Sequence, residues 1–144
     1  MILYYNDIIG ITETRLYDDD PLVNISIDGY DFIHTPTSTQ CGGAGLFIKS
    51  TYDYEIKKDF SKSLPNLTES IFIEIKRKTQ KNLLIGCIYR HHCQVSSFLD
   101  NYFLPVLDKI SRYSNKTCAI MGDFNVNLIN YASHVQTGEF YDLF

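Results

Sequence analysis

The sequence predicts one mixed α/β domain, on three observations. Several short apolar runs have the length and β-branched content of strands rather than of helices. Between the last two of them the apolar residues switch from strand spacing to helical spacing. Three of the runs also break off at polar residues of catalytic type, where open α/β sheets carry their ligands. At 144 residues and 44% hydrophobic content, the chain is long enough to bury a core as a single unit.

Taken in order, Asp7-Ile8-Ile9-Gly10-Ile11-Thr12 reads as a buried strand ending at Glu13. Tyr17-Asp18-Asp19-Asp20-Pro21 is a polar loop, and its acidic triplet is a solvated turn. The pair Asp28-Gly29 turns the chain into a strand over 30–34, and Cys41-Gly42-Gly43-Ala44-Gly45 turns it into another over 46–49. The glycine cluster lacks the GxxxxGK[ST] pattern and precedes a strand where a phosphate-cradling loop precedes a helix, so it is structural. Residues 52–60 and 70–76 form further strands, the second alternating Ile71, Ile73 and Ile75 against Phe72 and Glu74. The almost wholly apolar run 83–89 is a central strand covered on both faces. Phe98, Tyr102, Leu104, Leu107 and Ile110, with Val106 beside them, mark a helix from a Ser96 or Ser97 cap to about Tyr113. That helix returns the chain, by a right-handed crossover, to a fully buried strand from Cys118, so the two strand ends share one edge and Tyr89 approaches Asp123. Residues 139–144 begin a last helix.

The net charge of -4 argues against a protein that coats nucleic acid through bulk charge, although a local basic patch is compatible with it. Cys41, Cys87, Cys93 and Cys118 lack CxxC spacing and no signal peptide precedes them, which points to free thiols in a reducing compartment. No apolar stretch is long enough to cross a membrane. Three Asn-x-Ser/Thr triplets, at Asn24, Asn66 and Asn115, are chance matches without a secretory signal.

Three buried strands end in polar side chains: at Glu13-Thr14, at Tyr89-Arg90-His91-His92 and at Gly122-Asp123-Phe124-Asn125. One such end is easily a turn, because Asp and Asn readily bond their own backbone. Three together suggest a shared site. Glu, Asp and Asn are hard oxygen ligands that suit magnesium, which takes one or two carboxylates plus waters and substrate phosphate oxygens. Cys87, His91, His92 and Cys93 match no common zinc spacing, and Cys87 is expected to face the core. In such a site magnesium at Glu13 would polarise a phosphoryl oxygen, and Asp123 could orient and deprotonate the attacking water. Asn125 would hold the phosphate or water, while Tyr89 and Arg90 would meet the nonbridging oxygens. The plain alternatives are a strand-end aromatic at Tyr89 and surface polarity at Arg90, His91 and His92.

These blocks, in this order, resemble the endonuclease/exonuclease/phosphatase superfamily, and more closely the endonuclease domain of non-long-terminal-repeat retrotransposons. The blocks are Ile8-Ile9-Gly10-Ile11-Thr12-Glu13-Thr14-Arg15-Leu16, Gly29-Tyr30, Gly42-Gly43-Ala44-Gly45-Leu46-Phe47-Ile48-Lys49, Ile85-Gly86-Cys87-Ile88-Tyr89-Arg90, and Met121-Gly122-Asp123-Phe124-Asn125 with Asn127-Leu128. The resemblance implies a DNase I-like four-layered α/β sandwich and hydrolysis of a DNA phosphodiester bond with magnesium, or manganese in its place. By the same resemblance Glu13 matches the metal-binding glutamate and Tyr89 the phosphate-contacting tyrosine. Asp123 and Asn125 match the Asp-x-Asn pair that handles nucleophile and phosphate. Arg15 and Arg90, with Lys49 and Lys76-Arg77-Lys78, are the candidate DNA-facing cations. The family setting implies a monomer fused to a reverse transcriptase, acting in the nucleus on DNA, where the nick supplies a 3′ hydroxyl for reverse transcription.

The departures are specific. Family members begin with a strand bearing an Asn near the metal and end with a Ser-Asp-His block; here Asn6 is in the wrong context and His134 follows Asn125 too soon. His91-His92 also stands where relatives carry proline. The resemblance therefore implies a partial domain over 1–144, lacking its first strand and C-terminal segment, and weak or inactive as given. Two alternatives stay open: a phosphomonoesterase or phospholipase-like member of the superfamily, which the acidic charge suits, and a non-catalytic remnant.

Overall fold

A computed structural model describes residues 7–18, 20, 25–113, 117–127 and 135–141. Asn6, Asp19, Pro21, Asn24, Asn115, Leu128, His134 and the end of the last predicted helix lie outside them. The fold is mixed α/β: two sheets packed face to face, with helices against the far side of the second.

The first sheet is antiparallel and small. It contains β1 (Ile8–Thr12), β2 (Tyr30–Thr35) and β3 (Ala44–Lys49), with β3 in the middle. The second sheet contains β4 (Tyr54–Ile56), β5 (Lys62–Leu64), β6 (Thr68–Ile75), β7 (Leu83–Arg90) and β8 (Thr117–Asp123). Its main order is β4-β6-β7-β8, and β5 also pairs with β6. β6 and β7 are antiparallel, whereas β7 and β8 run parallel, as a helical crossover requires.

Alternation along the strands fills two cores. Ala44, Leu46 and Ile48 of β3 meet Ile71, Ile73 and Ile75 of β6 and Ile85 and Cys87 of β7 between the sheets. Cys87 is fully buried there, as its place in the apolar run predicts. The opposite face of the second sheet, with Phe72, Leu84 and Ile88, takes the helical layer. Strands β6 and β7 are therefore covered on both sides, and every residue of β6 is buried.

The helical layer differs in detail from the expectation. It starts at α1 (Val95–Phe98), widens into a π-helical segment (Leu99–Phe103) and continues as α2 (Leu104–Ser111). Gln94 stands at the N-cap without a side-chain bond, so neither Ser96 nor Ser97 caps the helix. The wide turn falls directly before Pro105, which has no N–H to donate to the preceding turn. The last helix, α3 (Val135–Tyr141), starts earlier than residue 139 and seats Phe140 against Phe103 and Phe124.

Two strand expectations are corrected. Residues 52–60 are not one strand: after Tyr54–Ile56 the chain turns at Lys57, whose carbonyl accepts from the Phe60 and Ser61 amides, and this swings Phe60 into the outer core against Phe72. The strand from Cys118 is not fully buried. β8 pairs only with β7 among the described residues, so Thr117, Cys118 and Ala119 are exposed while Ile120 and Met121 are half-buried. Ile120 packs on the outer core and Met121 on the intersheet core, so both faces are covered toward the carboxyl end, and the exposure belongs to the start of the strand.

Candidate active site at the strand ends

The carboxyl ends of β1, β7 and β8 meet on one rim. Gly122 sits at φ +143°, and a β-carbon there would lie 1.8 Å from the Ile88 carbonyl oxygen, so only glycine lets β8 end this close to β7. The register sets Tyr89 opposite Asp123, and the two approach as the crossover predicts. Asp123 Oδ1 accepts the Asn125 amide at 2.9 Å, which is the self-bonded turn that Asp often forms. The Asn125 side chain donates to the Arg90 carbonyl at 2.5 Å, and its backbone is left-handed at φ +49°.

Glu13 arrives from the other sheet. It follows β1 in a left-handed conformation at φ +55°, and Arg15 repeats the conformation at φ +56°. Non-glycine residues avoid this region, and where the surrounding structure holds them in it they cluster at functional sites. The Tyr89 hydroxyl donates to Glu13 Oε1 at 3.3 Å, and Arg15 pairs with Glu13 Oε2 at 3.7 Å. Burial pushes the Tyr89 hydroxyl pKa up, the Glu13 carboxylate pushes it further, and a hydrogen bond with Asn125 opposes both. The hydroxyl is therefore a donor at neutral pH, held between Glu13 and Asn125.

Arg90 does not face this rim. Successive strand residues point to opposite faces, so with Tyr89 turned toward the first sheet Arg90 must turn toward the helices. There it is 3% exposed. Its guanidinium donates to the carbonyls of Phe124, Asn125 (2.5 Å) and Cys93 (2.6 Å). The expected phosphate contact is replaced by a clamp on the loop that follows β8. Arg15 is the other predicted cation at the site, and its side chain is largely exposed beside Glu13.

A depression of about 450 Å³ adjoins the rim, lined by Asp123, Phe124, Asn125, Val126, Asn127 and Phe140. Its walls reach the Asp-x-Asn pair but not Glu13 or Tyr89. Among the described residues no three His, Cys, Asp or Glu side chains converge to hold a metal by themselves. The half-exposed Glu13 carboxylate, with the Tyr89 hydroxyl beside it, fits a hard cation that keeps its waters and takes the rest of its ligands from a phosphate. The zinc set does not form: Cys87 is in the intersheet core and His91 is engaged elsewhere.

Sequence reasoning missed one part of the site. Glu69 is 0% exposed and His91 7%, so surface polarity, the plain alternative for His91, does not describe it. His91 Nε2 lies 3.0 and 2.9 Å from the two Glu69 carboxylate oxygens. Period two would have found them: Glu69 continues the inward row of Ile71, Ile73 and Ile75, and His91 continues that of Ile85, Cys87 and Tyr89.

These features define a mixed α/β, two-sheet protein with polar side chains gathered at the ends of three strands. No family model matches the chain, and no curated protein matches it either. No helix among the described residues is long and apolar enough to cross a membrane.

Proposed function

We propose that the chain is a magnesium-dependent DNA endonuclease domain of the endonuclease/exonuclease/phosphatase type, like those of non-long-terminal-repeat retrotransposons. The observation that carries this reading is the meeting of Glu13, Tyr89 and Asn125 across two sheets, with Asp123 paired to Tyr89. Two packed sheets with a helical layer on one side support this reading, since a DNase I-like sandwich sets two sheets between helical layers.

In this reading Glu13 is the metal-binding carboxylate, and magnesium or manganese held there supplies Lewis-acid polarisation of a phosphoryl oxygen. Tyr89, protonated and aimed, donates to a nonbridging oxygen. Asp123, its carboxylate oriented by the Asn125 amide, takes the proton of the attacking water. Asn125 fixes the phosphate on the other side, and Arg15 lends charge from the exposed edge. The DNA substrate implies a nuclear setting, and a fused reverse transcriptase would use the nick as its primer end.

The test is nicking of supercoiled plasmid by the 144-residue chain with magnesium. Nicking that falls by about two orders of magnitude or more in Asp123→Ala is expected, the scale of loss for a general base. Equal nicking by Asp123→Ala overturns the assignment, and so does absence of nicking by a version of the chain extended at both ends. A phosphomonoesterase is favoured instead by the net charge of -4 and by the burial of Arg90, which removes one of the candidate DNA-facing cations. DNA binding that is insensitive to salt, with rapid turnover of a small phosphate ester, would select that reading.

A further inference from the structure

We propose that the buried Glu69–His91 pair is a positioning device, which locks the glycine loop before β3 and through it sets the left-handed turn that presents Glu13. The proposal rests on the endonuclease reading for its functional consequence. Its structural part stands on the contacts of the pair and of the glycine loop.

Glu69 is paired with Tyr89 across β6–β7, one step from His91, and its carboxylate is wholly shielded from water. A buried carboxylate is costly unless its oxygens are bonded. His91 Nε2 lies within hydrogen-bond distance of both oxygens, and the Gly43 amide donates to Oε2 at 3.3 Å. The loop lies flat on this pair: a β-carbon at Gly42 would be 2.7 Å from Glu69 Oε2 and 3.0 Å from His91 Cε1. Gly42 and Gly43 both have positive φ, 113° and 92°, so the glycines are needed for conformation as well as for room.

The far side of the same loop holds the site. The Arg15 amide donates to the Gly42 carbonyl at 2.9 Å, and Thr14 is so close to Gly43 that a β-carbon there would stand 2.2 Å from its hydroxyl oxygen. Glu13 is the residue just before this anchored pair. The His91 ring also packs edge-on against Tyr89, at 5.1 Å between centroids and 77° between planes. One buried pair thus braces both Glu13, through the loop, and Tyr89, through its ring. An apolar pair of the same volume would fill the space and leave the Gly43 amide without its acceptor, so the carboxylate's role is directional.

The test compares Glu69→Ala, Glu69→Gln and His91→Leu with the wild-type chain. Two quantities are read: hydrogen exchange at the Arg15 amide, and the magnesium concentration for half-maximal nicking. Glu69→Ala is expected to speed Arg15 exchange at least about tenfold and to raise the half-maximal magnesium several-fold, with the rate at saturating magnesium largely kept. Glu69→Gln keeps an acceptor for Gly43 and restores both in part, which general loss of stability would not do. If Glu69→Ala does not fold, His91→Leu takes its place with the same expected changes. Unchanged Arg15 exchange and magnesium dependence in the folded variant, or no rescue by Glu69→Gln, overturns the proposal. A version extended at both ends that does not nick overturns the endonuclease reading instead, and Arg15 exchange still decides the role of the pair.

Discussion

Replacing Arg90 by Met separates a structural clamp from a phosphate contact. The guanidinium is 3% exposed and satisfies the carbonyls of Phe124, Asn125 and Cys93. A hydrogen bond to a charged donor contributes about 1.5–3 kcal/mol, and a buried acceptor stripped of its donor bears its desolvation cost in full. The loop carbonyls are half-buried and regain some water, so each loss stays near the low end of about 1.5 kcal/mol and the three together come to about 4–5 kcal/mol. Domains of this size are stable by about 5–15 kcal/mol, so the midpoint of urea unfolding, followed by far-UV circular dichroism, should fall steeply. Arg90→Lys should recover little, because one ammonium cannot reach three carbonyls in a fork. An unfolding free energy for Arg90→Met within about 0.5 kcal/mol of wild type, combined with a weaker salt dependence of DNA binding, would refute the clamp and restore the phosphate contact.

Two further predictions concern the same strands. Gly122→Ala forces a β-carbon against the Ile88 carbonyl at φ +143° and should cost about 2–4 kcal/mol in thermal melts, because β8 must shift to admit it; a melt like wild type would contradict the close approach. Burial pushes the Cys87 thiol up from 9.0 to about 11. The folded state then keeps its proton where the unfolded chain ionises, so this stability is whole below pH 9 and declines as pH rises toward 11. Wild type should lose about 2–3 kcal/mol more than Cys87→Ala over that range in urea titrations, and parallel curves would show that the thiol is not shielded.

The second sheet was legible because its signals were strong and two-sided. The near-continuous apolar run of β7, the inward isoleucines of β6 and the helical spacing from Phe98 each admit few structures, and the parallel β7–β8 pairing followed from them. The strand ends at Glu13, Tyr89 and Asp123 were legible as ends for the same reason. What the sequence concealed was orientation. Arg90 and His91 look alike as polar residues after a strand, yet alternation sends one to the helices and the other inward to Glu69. The short β4 and β5 and the Phe60 turn were also hidden, because Lys57-Lys58-Asp59 bears no glycine or proline and the turn is driven by burial of Phe60. β8 read as central because an apolar run shows that faces are covered without showing how many edges are paired, and among the described residues β8 pairs only with β7.

The parallel pairing of β7 with β8 gives two of the site residues a fixed spacing. Neighbouring strands lie about 4.8 Å apart whatever the crossover between them does, so Tyr89 and Asp123 are spaced by the sheet itself. The length and sequence of the helical excursion can drift without moving either residue. Glu13 has no such guarantee, because packed sheets stand about 10 Å apart and Glu13 belongs to the other one. A tyrosine is long enough to carry a hydroxyl across that gap. Its ring thus acts as the gauge that registers one sheet against the other, and a shorter side chain at residue 89 would leave the two halves of the rim without a common measure.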